Sequence, residues 1–367
     1  MKKALTVSRV LVGLLFIFSG LVKANDPLGL AYKMQEFFDA WNWHGWNDYT
    51  LLLSVVMIGF EIVAGVALLV GWQMRLFSWL LVLLMLFFLF LTSYVLFSGK
   101  IKACGCFGDC IPLTPIQTFM KDVVFMLLIL FIFRNHQKIR PALPGGASVF
   151  VLLLTVGFCV WIQWYVLRHL PFRDCLPFKE GNNLVEKMKM PADAVPDSTV
   201  MTFIYEKAGK RYTFTQFDLP ANLNSYTYVE RSEKVVRPGK DNEPPIKDFV
   251  LFNPTGGDTT SSVLSQPGNY YILFRKDFDE HAGGAWEEAF HALAARAKAA
   301  HIPVVVVTGQ RDEAEQLFNT RMRLGLPIYT CDVTAIKTAA RTNPCIFEMN
   351  GPVVVHKWGY ADFQRIK

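Results

Sequence analysis

Residues 50–70 read TLLLSVVMIGFEIVAGVALLV, and the reading of this stretch decides the fold. About 20 consecutive apolar residues are enough to cross a hydrocarbon core of ~30 Å as a helix. Runs of similar character recur at about 6–22, 76–98, 115–133 and 148–167, so the sequence predicts five transmembrane helices. One charged residue, Glu61, sits in the middle of the quoted run. A carboxylate at that depth is costly in lipid, so it should face the bundle interior and find a polar partner from another span or from the Trp-rich loop. Two roles are open to it. It is either a structural hydrogen bond between helices, helped by the small residues Gly59, Ala64 and Gly65, or a proton- or quinone-binding group.

Working outward, Met1-Lys2-Lys3 resembles the basic start of a signal peptide. Ser19 and Gly20 make a poor cleavage site, and the first run is read as a retained helix. Charge is distributed unevenly. Residues 1–170 carry 13 Lys and Arg against 7 Asp and Glu, whereas residues 171–367 carry 24 of each. The net charge of +6 therefore belongs to the membrane half, which excludes a nucleic-acid protein and leaves an ordinary neutral domain behind it. The amino end and the 71–75 and 134–140 loops hold Lys2, Lys3, Arg9, Arg75, Arg134, Lys138 and Arg140 without an acidic residue. The other two loops mix Lys23, Lys33, Lys100 and Lys102 with Asp26, Glu36, Asp39, Asp48 and Asp109. By the positive-inside rule the first set is cytoplasmic. A multi-pass protein of a bacterial inner membrane is expected, with the amino terminus cytoplasmic and the carboxy-terminal half periplasmic, where disulfides persist.

Three of the seven cysteines fall in one of these outer loops, in Cys104-Gly105-Cys106-Phe107-Gly108-Asp109-Cys110. Three thiols with no nearby His are one ligand short of a zinc site, so no metal is expected. Thiol–disulfide exchange is the better reading, and a static structural disulfide is the alternative. A Cys104–Cys106 bridge would close a very small ring, so Cys110 should be one partner of a loop bridge, with the unpaired sulfur near Cys175. Asp109 would raise the loop thiol pKa values unless a cation such as Lys100 or Lys102 compensates. Lys121-Asp122 read as an interfacial charge pair close to the loop. Trp41-Asn42-Trp43-His44-Gly45-Trp46 reads as an aromatic belt beside a short amphipathic helix at 30–40; His44 is either solvated or a proton carrier.

Arg9, Gly13, Phe16, Ser19-Gly20, Lys23, Glu61, Gly65 and Gly71 resemble the DoxX family of small membrane proteins. The Cys-Gly-Cys-Phe-Gly loop followed by Lys121-Asp122 is similar to its relative, the methylamine-utilisation protein MauE. The resemblance covers about residues 1–140 and implies disulfide formation or quinone-linked redox chemistry in a four-helix core. The fifth span (141–170), His169-Leu170-Pro171-Phe172-Arg173-Asp174 and Arg341-Thr342-Asn343-Pro344 resemble a longer DoxX type of Bacteroidetes.

Residues 171–268 read as a Pro-punctuated linker followed by a β-rich region. They include a hairpin at 199–216 turning at Lys207–Lys210 and strand-like TYVE and DFVLFN. Residues 269–367 alternate strand and helix: NYYILFRKDF, AWEEAFHALAARAKAAH, IPVVVVTG, a helix around 312–324, PIYTCD, a helix at 333–341, then PCIFEMN and PVVVHKWG joined by Asn350-Gly351. That order resembles a thioredoxin fold, in which Asn343-Pro344 would be cis. The Cys-x-x-Cys expected near Asp279–Trp286 is absent, so the ordinary thioredoxin mechanism cannot operate there. Cys331 and Cys345 are expected on neighbouring strands, either as a disulfide pair or as buried small side chains. Cys159 reads as packing within the fifth span. Three functions follow. One is a thiol–disulfide oxidoreductase passing electrons between a periplasmic thiol protein and the quinone pool. Another is a non-enzymatic anchor presenting an inactive thioredoxin-like domain to a periplasmic partner. The third is a small-molecule transporter or binding protein using a cavity at Glu61.

Overall fold

A computed structural model describes residues 2–101, 105, 107–195, 198–237, 239, 242–278 and 284–366. Five helices are long and apolar enough to cross a membrane: α1 (Lys2–Ala24), α3 (Thr50–Val70), α4 (Met74–Ser98), α5 (Pro115–Arg134) and α6 (Gly145–His169). Between the first two lies α2 (Pro27–Ala40). Asp26 caps it by accepting from the Gly29 N–H, and Pro27 occupies the first turn, where no N–H is needed. α5 begins in the same way, with a capping box between Thr114 and Gln117 ahead of Pro115. Small residues set the α1–α3 contact. A Cβ on Gly65 would lie 2.7 Å from the Gly13 carbonyl oxygen, and one on Gly13 would lie 2.8 Å from Leu69 Cδ2. Gly59, expected to join this contact, faces open space.

The aromatic segment after α2 forms a cluster with ring contacts among Phe38, Trp41, Trp43 and Trp46. Trp43 and Trp46 are exposed, and His44 Nδ1 lies 3.0 Å from an Asp39 carboxylate oxygen at the surface. That contact and an Asn47 hydrogen bond hold the Asp39 pKa low, the Asn47 bond being the larger cause.

Beyond α6, a short helix α7 (Leu184–Lys187) leads to a three-stranded sheet of β1 (Ser198–Lys207), β2 (Lys210–Thr215) and β3 (Thr227–Arg237). The hairpin turns at Ala208-Gly209, both at positive φ, with Lys207 paired to Lys210. Antiparallel β3 pairs the other edge of β1 and contains the TYVE segment. DFVLFN differs from expectation. Only Phe252 makes a strand-like bridge, while Phe249 and Leu251 turn inward as core side chains.

The larger sheet has the order β6-β5-β4-β7-β8. Its strands are β4 (Asn269–Arg275), β5 (Val304–Thr308), β6 (Ile328–Thr330), β7 (Cys345–Asn350) and β8 (Val353–Gly359). β4, β5 and β6 run parallel, and β7 and β8 run antiparallel to their neighbours. On one face α9 (Ala285–Ala299) buries Trp286, Phe290 and Leu293. A segment of helix α10 (Arg311–Ala314) continued by a π-helical turn (Glu315–Arg321) adds Phe318. The opposite face is covered by α11 (Val333–Ala339), by the short helix α8 (Thr260–Leu264), and by Phe178, Leu184, Phe249 and Leu251 from the preceding region. The Asn343–Pro344 peptide bond is cis.

Cys331 and Cys345 do not pair. β6 is the sheet edge, and β5 and β4 separate it from β7. Three interstrand steps amount to about 14 Å, against the ~4.4–6.8 Å Cα separation a disulfide needs. Both are free thiols buried in one core, as is Cys159 within the bundle.

Candidate functional site

Ser19 and Lys23 lie four residues apart and so share one face of α1. Both reach Glu61 on α3: Lys23 Nζ donates to Oε1 at 2.5 Å and Ser19 Oγ to Oε2 at 3.2 Å. Glu61 is 1% exposed and Lys23 4%. Glu61 thus points inward with a partner from another span, as its position requires. Lys23 is not the loop residue that its place near the end of the first apolar run suggests; it is inside the bundle. On α5, Lys121 donates to Asp122 Oδ1 at 2.6 Å and sits over the rings of Phe107 and Phe125. Asp122 is 1% exposed and Lys121 21%, so the carboxylate is buried in the bundle while its ammonium is partly exposed. The two ion pairs line one small chamber roofed by Phe107 of the cysteine loop. Matched charges make such burial tolerable, since each ammonium offsets one carboxylate.

Above this chamber Cys110 is joined to Cys175, with Cα atoms 4.9 Å apart. The bridge ties the α4–α5 loop to the chain just beyond α6, 65 residues away. Cys110 is therefore a bridge partner, but its mate is Cys175 and not a loop cysteine. Cys104 and Cys106 lie outside the described residues, as does Lys102. The cation beside Asp109 comes from elsewhere: Arg341 donates to Asp109 at 2.9 Å and to Asp26 at 2.8 Å. Burial lowers the Arg341 pKa, but the two carboxylates outweigh it and hold the guanidinium above its ordinary value. Further contacts clamp the same junction. Asn25 exchanges two hydrogen bonds with the Arg173 backbone, Lys357 reaches Asp174 at 2.6 Å, and Lys337 reaches Gln35 at 3.1 Å.

Two larger spaces flank the loop. A crevice of about 340 Å³ between α2, α3 and α4 is walled by Phe37, Trp41, Met57, Phe60, Phe87 and Phe88, with Lys23 and Gly105 at its margins. A polar cleft of about 590 Å³ between α2 and the sheet domain is lined by Asp109, Cys175, Lys337 and Arg341. Gly105 and Asp109 are four residues apart, so a single short loop borders both an apolar space and a water-facing one. Among the described residues no group of His, Cys, Asp and Glu is arranged to hold a metal ion.

This fold and site define a multi-pass membrane protein with a sheet-containing carboxy-terminal region. Residues 1–134 match the family model of the methylamine utilisation protein MauE, and residues 192–238 match a family described as a domain of unknown function. A Flavobacterium psychrophilum protein, Protein TlpB, is 30% identical over 128 residues, which cover 34% of this chain and 35% of that protein. The similarity thus spans about a third of the relative's length. No solved structure matches.

Proposed function

We propose that the chain is a membrane-embedded thiol–disulfide relay between a periplasmic thiol protein and the quinone pool. The carrying observation is the loop that borders the polar cleft at Asp109 and the apolar crevice at Gly105, with Cys110 bonded to Cys175 beside the cleft. In this reading a partner thiolate attacks the Cys110–Cys175 bond and forms a mixed disulfide. A second partner thiol resolves it, so the partner becomes a disulfide and Cys110 and Cys175 become thiols. Cys104 and Cys106 relay the two electrons. A quinone accepts them with two protons, becoming a quinol as a disulfide re-forms. Arg341 offsets the negative charge of Asp109 beside the exchanging sulfur. The reading includes an inner-membrane location with the amino terminus cytoplasmic, and a thioredoxin-like fold for the five-stranded sheet without its Cys-x-x-Cys.

One observation favours the anchor reading instead. Among residues 198–207, 210–215 and 227–233 of this sheet none is buried, and exposed Tyr212 packs with half-buried Phe214 and Tyr226 into an aromatic patch that offers a surface to a protein. Trapping separates the two. Cys110→Ser and Cys175→Ser each leave one of the two thiols. By the reverse exchange it attacks the disulfide of the oxidised partner, and with its own second thiol missing the relay should accumulate a reductant-sensitive mixed disulfide with a periplasmic protein. Absence of adducts from both variants, with wild-type Cys110–Cys175 resisting reduction in cells whose quinol reoxidation is blocked, would leave only the anchor.

A further inference from the structure

Three features of the apolar crevice call for an occupant. First, it opens sideways: Val56 on α3 and Phe87 on α4 line it and are also 60% and 42% exposed on the bundle's outer surface. A ligand dissolved in the bilayer could enter between these helices without crossing water. Second, the crevice lies within the ~300–1,000 Å³ range of small-molecule sites, and its aromatic walls suit a flat ring. Third, it meets Lys23. An ammonium has three donors, and Glu61 is its one hydrogen-bond acceptor among the described residues. Its other near contact is the Phe88 ring, 5.1 Å from the ammonium to the ring centroid. A buried cation with a single hydrogen-bond acceptor at the edge of an apolar space is complementary to a carbonyl oxygen carried on a hydrophobic body.

We infer that the α2–α3–α4 crevice is a binding site for an isoprenoid quinone, with a ring carbonyl held by Lys23 Nζ and the tail leaving between Val56 and Phe87. This deepens the relay reading and rests on it for its redox role. A phospholipid acyl chain would fill the apolar walls equally well but offers no acceptor at Lys23. Gly105 borders the same space, so a ring at Lys23 lies beneath the cysteine loop. The reaction it would undergo is balanced: two loop thiols lose two electrons and two protons, a disulfide forms, and the quinone becomes a quinol. Reduction puts negative charge on the ring oxygen, and the nearby ammonium stabilises that charge. Lys23 also lines the chamber that holds Glu61, Lys121 and Asp122, so the ring end of the crevice adjoins a set of proton-exchanging groups.

The test uses the full chain in lipid nanodiscs, titrated with a short-tailed menaquinone and, separately, a short-tailed ubiquinone. Binding is read by tryptophan quenching, since Trp41 lines the crevice. Val56→Trp, which fills the mouth from the lipid side and leaves the interior untouched, should weaken binding at least about tenfold. Lys23→Met combined with Glu61→Gln leaves the net charge of the interior unchanged while removing the donor, and should weaken it about ten- to a hundredfold. Leu127→Trp, on the lipid face of α5, should change nothing. Quinone binding that ignores Val56→Trp and the Lys23 double variant, or a crevice that retains only phospholipid by native mass spectrometry, overturns the site. Tight, variant-sensitive binding without reduction by the dithiol-treated protein keeps the site and overturns the relay. Quinone reduction whose dependence on quinone concentration is unchanged in Val56→Trp does the opposite.

Discussion

In the bundle, Glu61, Lys23 and Asp122 are buried while Val7, Leu127 and Leu153 stand more than 60% exposed. In the sheet domain, Phe290, Phe347 and Cys345 are buried, and the outer face of α9 carries Glu288, Arg296 and Lys298. The inversion follows from the solvent. Lipid tails are as apolar as leucine, so apolar burial drives helix association weakly and paired polar groups must specify it. Water drives the phenyl rings and thiols of the sheet domain inward. The consequence for sulfur is direct. Cysteines of the sheet are sealed as neutral thiols, whereas the Cys110–Cys175 bridge joins the α4–α5 loop to the chain beyond α6, beside the polar cleft.

The largest effect should come from breaking the polar interior. Glu61→Ala leaves the Lys23 ammonium buried without its carboxylate and should cost about 3–5 kcal/mol. Replacing both residues together with Met should recover most of that loss, because a matched apolar pair removes both desolvation terms. Thermal unfolding in detergent measures both. A Glu61→Ala loss below about 1 kcal/mol would place the pair among solvated contacts and break the contrast.

Next in size is the junction. Arg341 is 6% exposed between Asp26 and Asp109, but Asp109 is 42% exposed, so water compensates part of the loss. Arg341→Met should cost about 2 kcal/mol. It should also speed reduction of Cys110–Cys175 by glutathione, measured by thiol labelling and mass, because the sheet domain no longer covers the loop. An unchanged reduction rate would show that the clamp does not govern access to the disulfide.

The apolar interior makes its own prediction. Burial pushes the Cys331 and Cys345 thiols up to about 12. Their folded values lie above the unfolded one of about 8.5, so the stabilisation from keeping them neutral is complete below that pH. It is lost as pH rises toward 12, by at most about 1.4 kcal/mol per pH unit for each thiol. Unfolding measured from pH 8 to 11 should steepen in the wild type and flatten in Cys345→Ala. At pH 8 a maleimide should leave both thiols unmodified until the domain unfolds. Rapid labelling of either in the folded chain would contradict their sealing.

Much of this arrangement is legible in the sequence, and the boundary is physical. The spans, the inward Glu61, the Lys207–Lys210 hairpin and the strand–helix order are periodic or local signals, carried within one element. The partners of these residues are not local. Glu61 meets Lys23 across 38 positions, and Asp109 meets Arg341 across 232. Lys23 did carry a signal: a lysine ending the first apolar run, in a chain whose second span holds a lone carboxylate, is a candidate intramembrane partner. The expected placement of Cys331 and Cys345 on neighbouring strands failed because chain order does not fix sheet order and β6 went to the far edge, which leaves the alternative of two buried small side chains. DFVLFN has strand composition, but its rings were needed as a lid on the larger sheet, and packing overrode propensity.

The smallest effect tests the outer surface of the bundle. Leu127 is 62% exposed on α5, and Leu293 is 2% exposed on α9. Truncating Leu293 to Ala opens a cavity and should cost about 2–5 kcal/mol. Truncating Leu127 to Ala opens none, because lipid tails move into the vacated volume and restore the same dispersion contacts. The expected change is within about 0.5 kcal/mol, read by unfolding of the nanodisc-embedded chain. A loss comparable to that of Leu293→Ala would mean that α5 packs against another helix at this position, and the face would then belong to an interface between copies of the chain.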